Sequence, residues 1–204
     1  MRDLSRALQE ISAIRAQVAR DTQFRGYGPA SVALSGILAL AVAAAQDLLR
    51  APLRAALPFV AAWVATAVVS VTLSALEMVV RARRVHSGYA SAMMQAALEQ
   101  FLPAMLAGVL LTGVMFLAAP GELWMLPGLW QVMFSLGVFA SCRFLPRLMF
   151  AVGIWYLGCG LVCLMIESAH RMLVPWEMGI PFGVGQLLVA AVLRYGFEEP
   201  LEDR

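Results

Sequence analysis

Six stretches of this sequence are apolar for long enough to cross a bilayer, and no other feature constrains the chain so strongly. About 20 apolar residues in helical form span the roughly 30 Å hydrocarbon layer of a membrane. The runs are Pro29–Ala45, Leu57–Leu76, Phe101–Ala119, Leu123–Ser141, Leu148–Ile166 and Trp176–Leu193. Inside lipid a backbone must satisfy its own hydrogen bonds, so each run is expected to be an α-helix. The fold class that follows is all-α, a polytopic transmembrane six-helix bundle. Composition agrees: 61% of the residues are hydrophobic and 14% charged, against about 45–50% and 25% in soluble domains. A soluble enzyme, a disulfide scaffold and a disordered chain are excluded.

Prolines punctuate the runs. Pro29, Pro58, Pro103, Pro127, Pro146 and Pro175 fall near span starts, where a missing N–H costs little. Pro181 lies deeper, between Gly179 and Gly183, and is expected to kink or loosen the first turns of the last helix. A faint echo between Phe101-Leu102-Pro103 and Phe144-Leu145-Pro146 is compatible with parallel hairpin repeats or with shared helix-start chemistry alone.

Charge sets the threading. All fifteen basic residues are arginine, and lysine and asparagine are absent; this points to a GC-rich bacterial genome. An even number of spans puts both termini on one side. Twelve arginines then fall on that side and only Arg50, Arg54 and Arg171 on the other. Arginine-rich segments stay in the cytoplasm, so the expectation is a multi-pass protein of the bacterial inner membrane with both termini cytoplasmic. Tyr27 and Tyr195 would mark the inner interface, Trp124 and Trp176 the outer. Residues 1–28 contain no apolar core of a cleavable signal peptide. A net charge of +2 gives no reason to expect nucleic acid, and the expected partners are the lipid bilayer, a second copy of the chain, or a cytoplasmic protein.

Three regions follow: a cytoplasmic amphipathic helix and hinge (1–28), the six-span domain (29–196) and an acidic tail (197–204). In the first, Leu4, Leu8, Ile11, Ile14 and Val18 recur at helical steps, with Arg15 and other arginines flanking them. Such a face fits a lipid surface, where each arginine gains about 1 kcal/mol from anionic headgroups. It equally fits a helix docked on the bundle or on a partner. Leu4, Leu8, Ile11, Arg15 and Val18 are therefore the candidate partner or lipid surface. Arg25-Gly26-Tyr27-Gly28-Pro29 reads as a joint. Past span two, Arg81–Gln100 reads as a continuation of that span followed by a short amphipathic helix. Glu77 stands four residues before Arg81, the spacing of a helical ion pair.

One stripe carries chemistry. Cys159, Cys163, Glu167 and His170 fall within about 80° of one another on an ideal helix, and Glu167-x-x-His170 has the spacing of helical carboxylate metal sites. Glu177, Gln131 and Glu122 could approach it from neighbouring spans. Gln186 is a further interior amide, beside Gly179, Gly183 and Gly185, whose small size favours close helix packing. The candidate ligand or proton site is thus Glu167, His170, Glu177, Gln131 and Gln186. Equally, the cysteines fit as small packing residues and the acids as a solvated rim. Too few ligands are present to expect a metal, Glu167 and His170 being the only candidates, and no cofactor or catalytic residue is expected. Cys159 and Cys163 could alternatively support redox chemistry.

Met125-Leu126-Pro127-Gly128-Leu129-Trp130, Phe182-Gly183-Val184-Gly185-Gln186 and Arg81-Ala82-Arg83-Arg84 together resemble a group of uncharacterised bacterial six-span inner-membrane proteins. The resemblance implies the topology and no activity, and the acidic tail departs from the basic, glycine-rich ends of that group. The leading functional expectation is a non-enzymatic interaction or regulatory scaffold acting through the N-terminal helix. The alternatives are a small permease or channel with a polar cavity near spans four to six, and a metal- or redox-active protein built on the Cys159–His170 stripe.

Overall fold

The computed structural model describes residues 29–49, 56–84, 88–143 and 145–195. The N-terminal segment with Leu4, Leu8, Ile11, Arg15 and Val18, the residue His86 and the acidic tail lie outside the described residues. Within them the protein is helical, without a strand. Its helices are α1 (Pro29–Leu48), α2 (Ala56–Arg84), α3 (Gly88–Ala118), α4 (Leu126–Ser141), α5 (Met149–His170) and α6 (Trp176–Tyr195), with a 3₁₀ turn, Pro120–Met125, leading into α4. All six are long and apolar enough to cross a membrane.

The third helix differs from expectation. It begins at Gly88 rather than Phe101, so the separate amphipathic helix expected after span two is the first part of α3, and Pro103 lies inside it. A proline is tolerated within a membrane helix when neighbours or local adjustment satisfy the freed carbonyl. Residues 90–100 are also mostly good helix formers such as Ala, Met, Leu and Gln. The Phe-Leu-Pro echo is accordingly not a structural repeat, because Pro103 sits in mid-helix and Pro146 in the connection before α5. Helix α6 runs as one helix through Pro181.

Two seams of small residues hold the bundle. Along α1 and α6 the backbones meet: a Cβ built on Gly36 would stand 2.9 Å from the Gly183 carbonyl oxygen, while Gly179 rests on Ala43 and Gly183 on Leu40. Along α4 and α5, Gly128 and Gly160 face each other, each Cα so near that an added Cβ would lie 2.8 Å from the other's carbonyl oxygen. Lipid tails are as apolar as leucine, so helices in a membrane associate through such close packing rather than through a hydrophobic drive. The glycines near Gln186 therefore serve a seam within one chain. Between the seams, Phe134 of α4 stacks on Phe101 of α3, Tyr156 of α5 and Phe182 of α6, with ring centroids 4.6–5.4 Å apart.

Helices α2 and α3 lie outermost. Only 22% and 11% of their spanning windows are buried, against 33–44% for the others, and Val68, Val71, Leu106, Val109, Leu110 and Leu117 are exposed. Apolar side chains facing outward along whole helices suit a lipid environment. At the end where the chain enters and leaves, Glu77 of α2 reaches α1 and its Oε2 accepts the Ser31 backbone N–H at 3.2 Å. The carboxylate thus sits on an open donor of the first turn of α1, where helix-end charge favours an anion. The ion pair expected from sequence would use Arg81, whose side chain is outside the described set. Trp124 and Trp176 both lie at the opposite end, their indoles donating to Glu122 Oε2 (2.8 Å) and Asp47 Oδ2 (3.3 Å).

Candidate functional site

The polar interior gathers at that opposite end, where α4, α5 and α6 meet. Helix α5 ends in a left-handed cap: Arg171 adopts φ 53° and ψ 41°, and its N–H donates to the Glu167 carbonyl at 2.7 Å. A non-glycine residue there costs on the order of 1–2 kcal/mol. The turn so made points the next N–H, that of Met172, at the Glu167 carboxylate, which accepts it through Oε2 at 2.9 Å. Glu167 is only 4% exposed. The solvated-rim expectation fails for this residue, because the reversed chain closes over it.

Glu177 enters from the first turn of α6, where the helix dipole favours an acid. Its Oε2 accepts the Cys163 thiol at 3.3 Å, and its carboxyl neighbours that of Glu167. Gln131 completes the group from α4. It is fully buried, and its Nε2 donates to the Glu177 backbone carbonyl at 2.7 Å. Pro181 explains why that carbonyl is open. In a helix the Glu177 carbonyl would receive the N–H four residues on, and proline has none. The amide of Gln131 takes its place. Its other atom, Oε1, has no partner, although it is buried.

Three of the five residues expected at the site, Gln131, Glu167 and Glu177, therefore come together, with Cys163. The other two do not. His170 is exposed, its ring against the Ile166 carbonyl at 3.1 Å. Gln186 lies nine residues beyond Glu177, about 13 Å along α6. It stands over Gly36 and beside the buried Tyr156 hydroxyl, which has no partner of good geometry. Glu122 is held elsewhere by Arg171 at 3.4 Å, with the Arg171 side chain exposed and that of Glu122 partly so, and Arg171 also covers Trp124. Glu167 and His170 face different surroundings. No group of three or more His, Cys, Asp and Glu among the described residues is arranged to hold a metal ion. Cys142, Cys159 and Cys163 are free thiols.

Sequence reasoning missed two polar positions, Asp47 and Gln46, and the partner of a third, Glu77. Glu77 bonds α1 rather than standing only beside Arg81. Asp47 bonds Trp176. Gln46 is 2% exposed with both amide atoms unpartnered. The one available signal was Pro181, since a proline inside a span opens the carbonyl four residues earlier. Comparison with protein-family models, curated proteins and solved structures finds no match.

Proposed function

We propose that this chain is a non-enzymatic, multi-pass protein of a bacterial inner membrane, with both termini in the cytoplasm, that anchors residues 1–28 as an interaction segment. The observation behind this reading is how α1 is held. The N-terminal segment leads directly into α1, and α1 is fixed along its length by backbone contact with α6 and at its first turn by Glu77. A segment attached to so constrained a helix has a defined point of origin at the membrane surface, which suits an anchor or regulatory scaffold. The apolar stripe Leu4, Leu8, Ile11 and Val18 would supply its contact face for a partner protein or a second copy, with Arg15 at its edge. The resemblance to six-span inner-membrane proteins fits this topology and names no activity.

The test is cross-linking of the full chain in membranes against a variant lacking residues 2–20. The proposal expects cross-links through the stripe and an altered oligomeric state or partner set on deletion. Identical cross-links and oligomeric state would overturn it. A second reading, a small permease, rests on the meeting of Gln131, Glu167 and Glu177 between α4, α5 and α6. Ion or solute flux into vesicles carrying the purified protein, compared with empty vesicles, tests it directly.

A further inference from the structure

At the end of the bundle that carries Trp124 and Trp176, a cavity of about 310 Å³ opens between the start of α2, the 3₁₀ turn and the connection from α5 to α6. Ala56, Leu123, Trp124 and Leu173 give it apolar walls, and among its described lining residues Arg171 alone is charged. The space equals that of about ten water molecules at roughly 30 Å³ each, within the range of small-ligand pockets. Its walls are all span ends, so it lies at the depth of lipid headgroups, where tryptophan also gathers.

Arg171 is held at the rim of this space. Its Nη1 donates to Glu122 Oε1 at 3.4 Å, and its guanidinium carbon lies 6.0 Å from the centroid of the Trp124 ring. Glu122 Oε2 in turn accepts the Trp124 indole N–H at 2.8 Å. The long bond to Glu122 engages one of the guanidinium's N–H donors, of which arginine has five, and the side chain stays 63% exposed. The fork is thus fixed in place with donors to spare, the arrangement that recognises a phosphate group through paired bonds. The backbone points the same way. Residue 171 adopts φ 53°, a conformation that glycine takes freely and other residues take at a cost. An exposed pair with Glu122 returns little of that cost, whereas a bound anion would return more. Such strain concentrates at ligand-holding sites. In sequence, the connection leading into Ala56 adds Arg50 and Arg54, so the three arginines on this side of the spans all belong to the two connections that end at the cavity.

We propose that Arg171 and this cavity bind a membrane phospholipid, the lipid phosphate on the guanidinium and the glycerol end of its chains against Ala56, Leu123 and Leu173. The apolar walls and the headgroup depth favour a phospholipid over a free phosphate ester. The site is separate from the N-terminal segment on which the scaffold reading rests.

Native mass spectrometry of the delipidated full-length protein, titrated with phosphatidylglycerol, reads the first lipid bound. The wild type is expected to bind it about tenfold or more tighter than diacylglycerol, which lacks the phosphate, or glycerol 3-phosphate, which lacks the chains. Arg171→Gly keeps the left-handed turn and should weaken phosphatidylglycerol binding about tenfold, the worth of one charge-assisted bond. Gly121 also lines the cavity, and a Cβ there would meet nothing within 4 Å, so Gly121→Leu should weaken binding with Arg171 in place. Arg194→Gln, at the opposite end of the bundle, should leave it unchanged. Wild-type affinity in Arg171→Gly or an equal loss in Arg194→Gln would overturn the proposal, as would diacylglycerol or glycerol 3-phosphate bound as tightly as phosphatidylglycerol. Wild-type affinity in Gly121→Leu would overturn it even if Arg171→Gly does not fold.

Discussion

Replacing Gly160 by alanine separates close helix packing from simple apolarity as the source of stability. The new Cβ would stand 2.8 Å from the Gly128 carbonyl oxygen, 3.0 Å from Val132 Cγ2 and 3.1 Å from Gln131 Cβ. Ordinary contact begins near 3.4 Å, leaving an overlap of about 0.6 Å against a backbone atom that no rotamer change can move. Helices α4 and α5 must part by about that amount along a seam of several residues. Overpacking of this kind costs about 1–3 kcal/mol, offset by up to about 1 kcal/mol of improved helix propensity. The net expectation is a loss of about 1–2 kcal/mol. Gly158, two residues away on the same helix, has nothing within 4 Å of its Cβ position, so Gly158→Ala should stay within about 0.5 kcal/mol of the wild type or gain slightly. Reversible unfolding of both variants in mixed micelles, followed by circular dichroism, makes the comparison. Equal stability of the two variants would refute the seam.

Further expectations concern the polar contacts. Gln131→Leu should cost about 1–3 kcal/mol by stranding the Glu177 carbonyl; in a Pro181→Ala background, where the backbone N–H is restored, the cost should fall, and strict additivity in a double-mutant cycle would show that Gln131 does not stand in for it. Glu77→Ala should lower stability by about 0.5–2 kcal/mol, as loss of a helix-end anion and hydrogen bond does, and an unchanged unfolding midpoint would contradict the contact. Arg171→Gly should be neutral or stabilising by up to about 1 kcal/mol, because glycine accepts φ 53° without strain and the exposed pair with Glu122 contributes little. Arg171→Val should be destabilising in the same unfolding assay, and a tolerated valine would argue against the left-handed cap.

The six helices were legible because lipid leaves a long apolar segment almost no alternative to helix. Where water competes, the sequence spoke less clearly. Within Arg81–Gln100 the sequence suggests a separate short helix because Pro103 looks like a helix start, yet α3 runs from Gly88 through that proline. The stripe on α5 shows the same limit at finer scale. Its four residues spread over about 80° of an ideal helix, and Cys163 and Glu167 occupy the buried side while Cys159 is half-buried and His170 exposed. Periodicity places residues on a face but does not say which edge of it another helix covers. The sequence offers Gln131 and Gln186 as interior amides, and only the packing of α4 against α6 decides that Gln131 meets the carbonyl opened by Pro181.

The most direct test of the account is threading. Green fluorescent protein and alkaline phosphatase fused in turn at the N-terminus, at the C-terminus, within 49–55 and within 171–175 report which side each position faces. The account predicts fluorescence without phosphatase activity at both termini, and phosphatase activity without fluorescence at the two internal sites. Phosphatase activity at either terminus would contradict it.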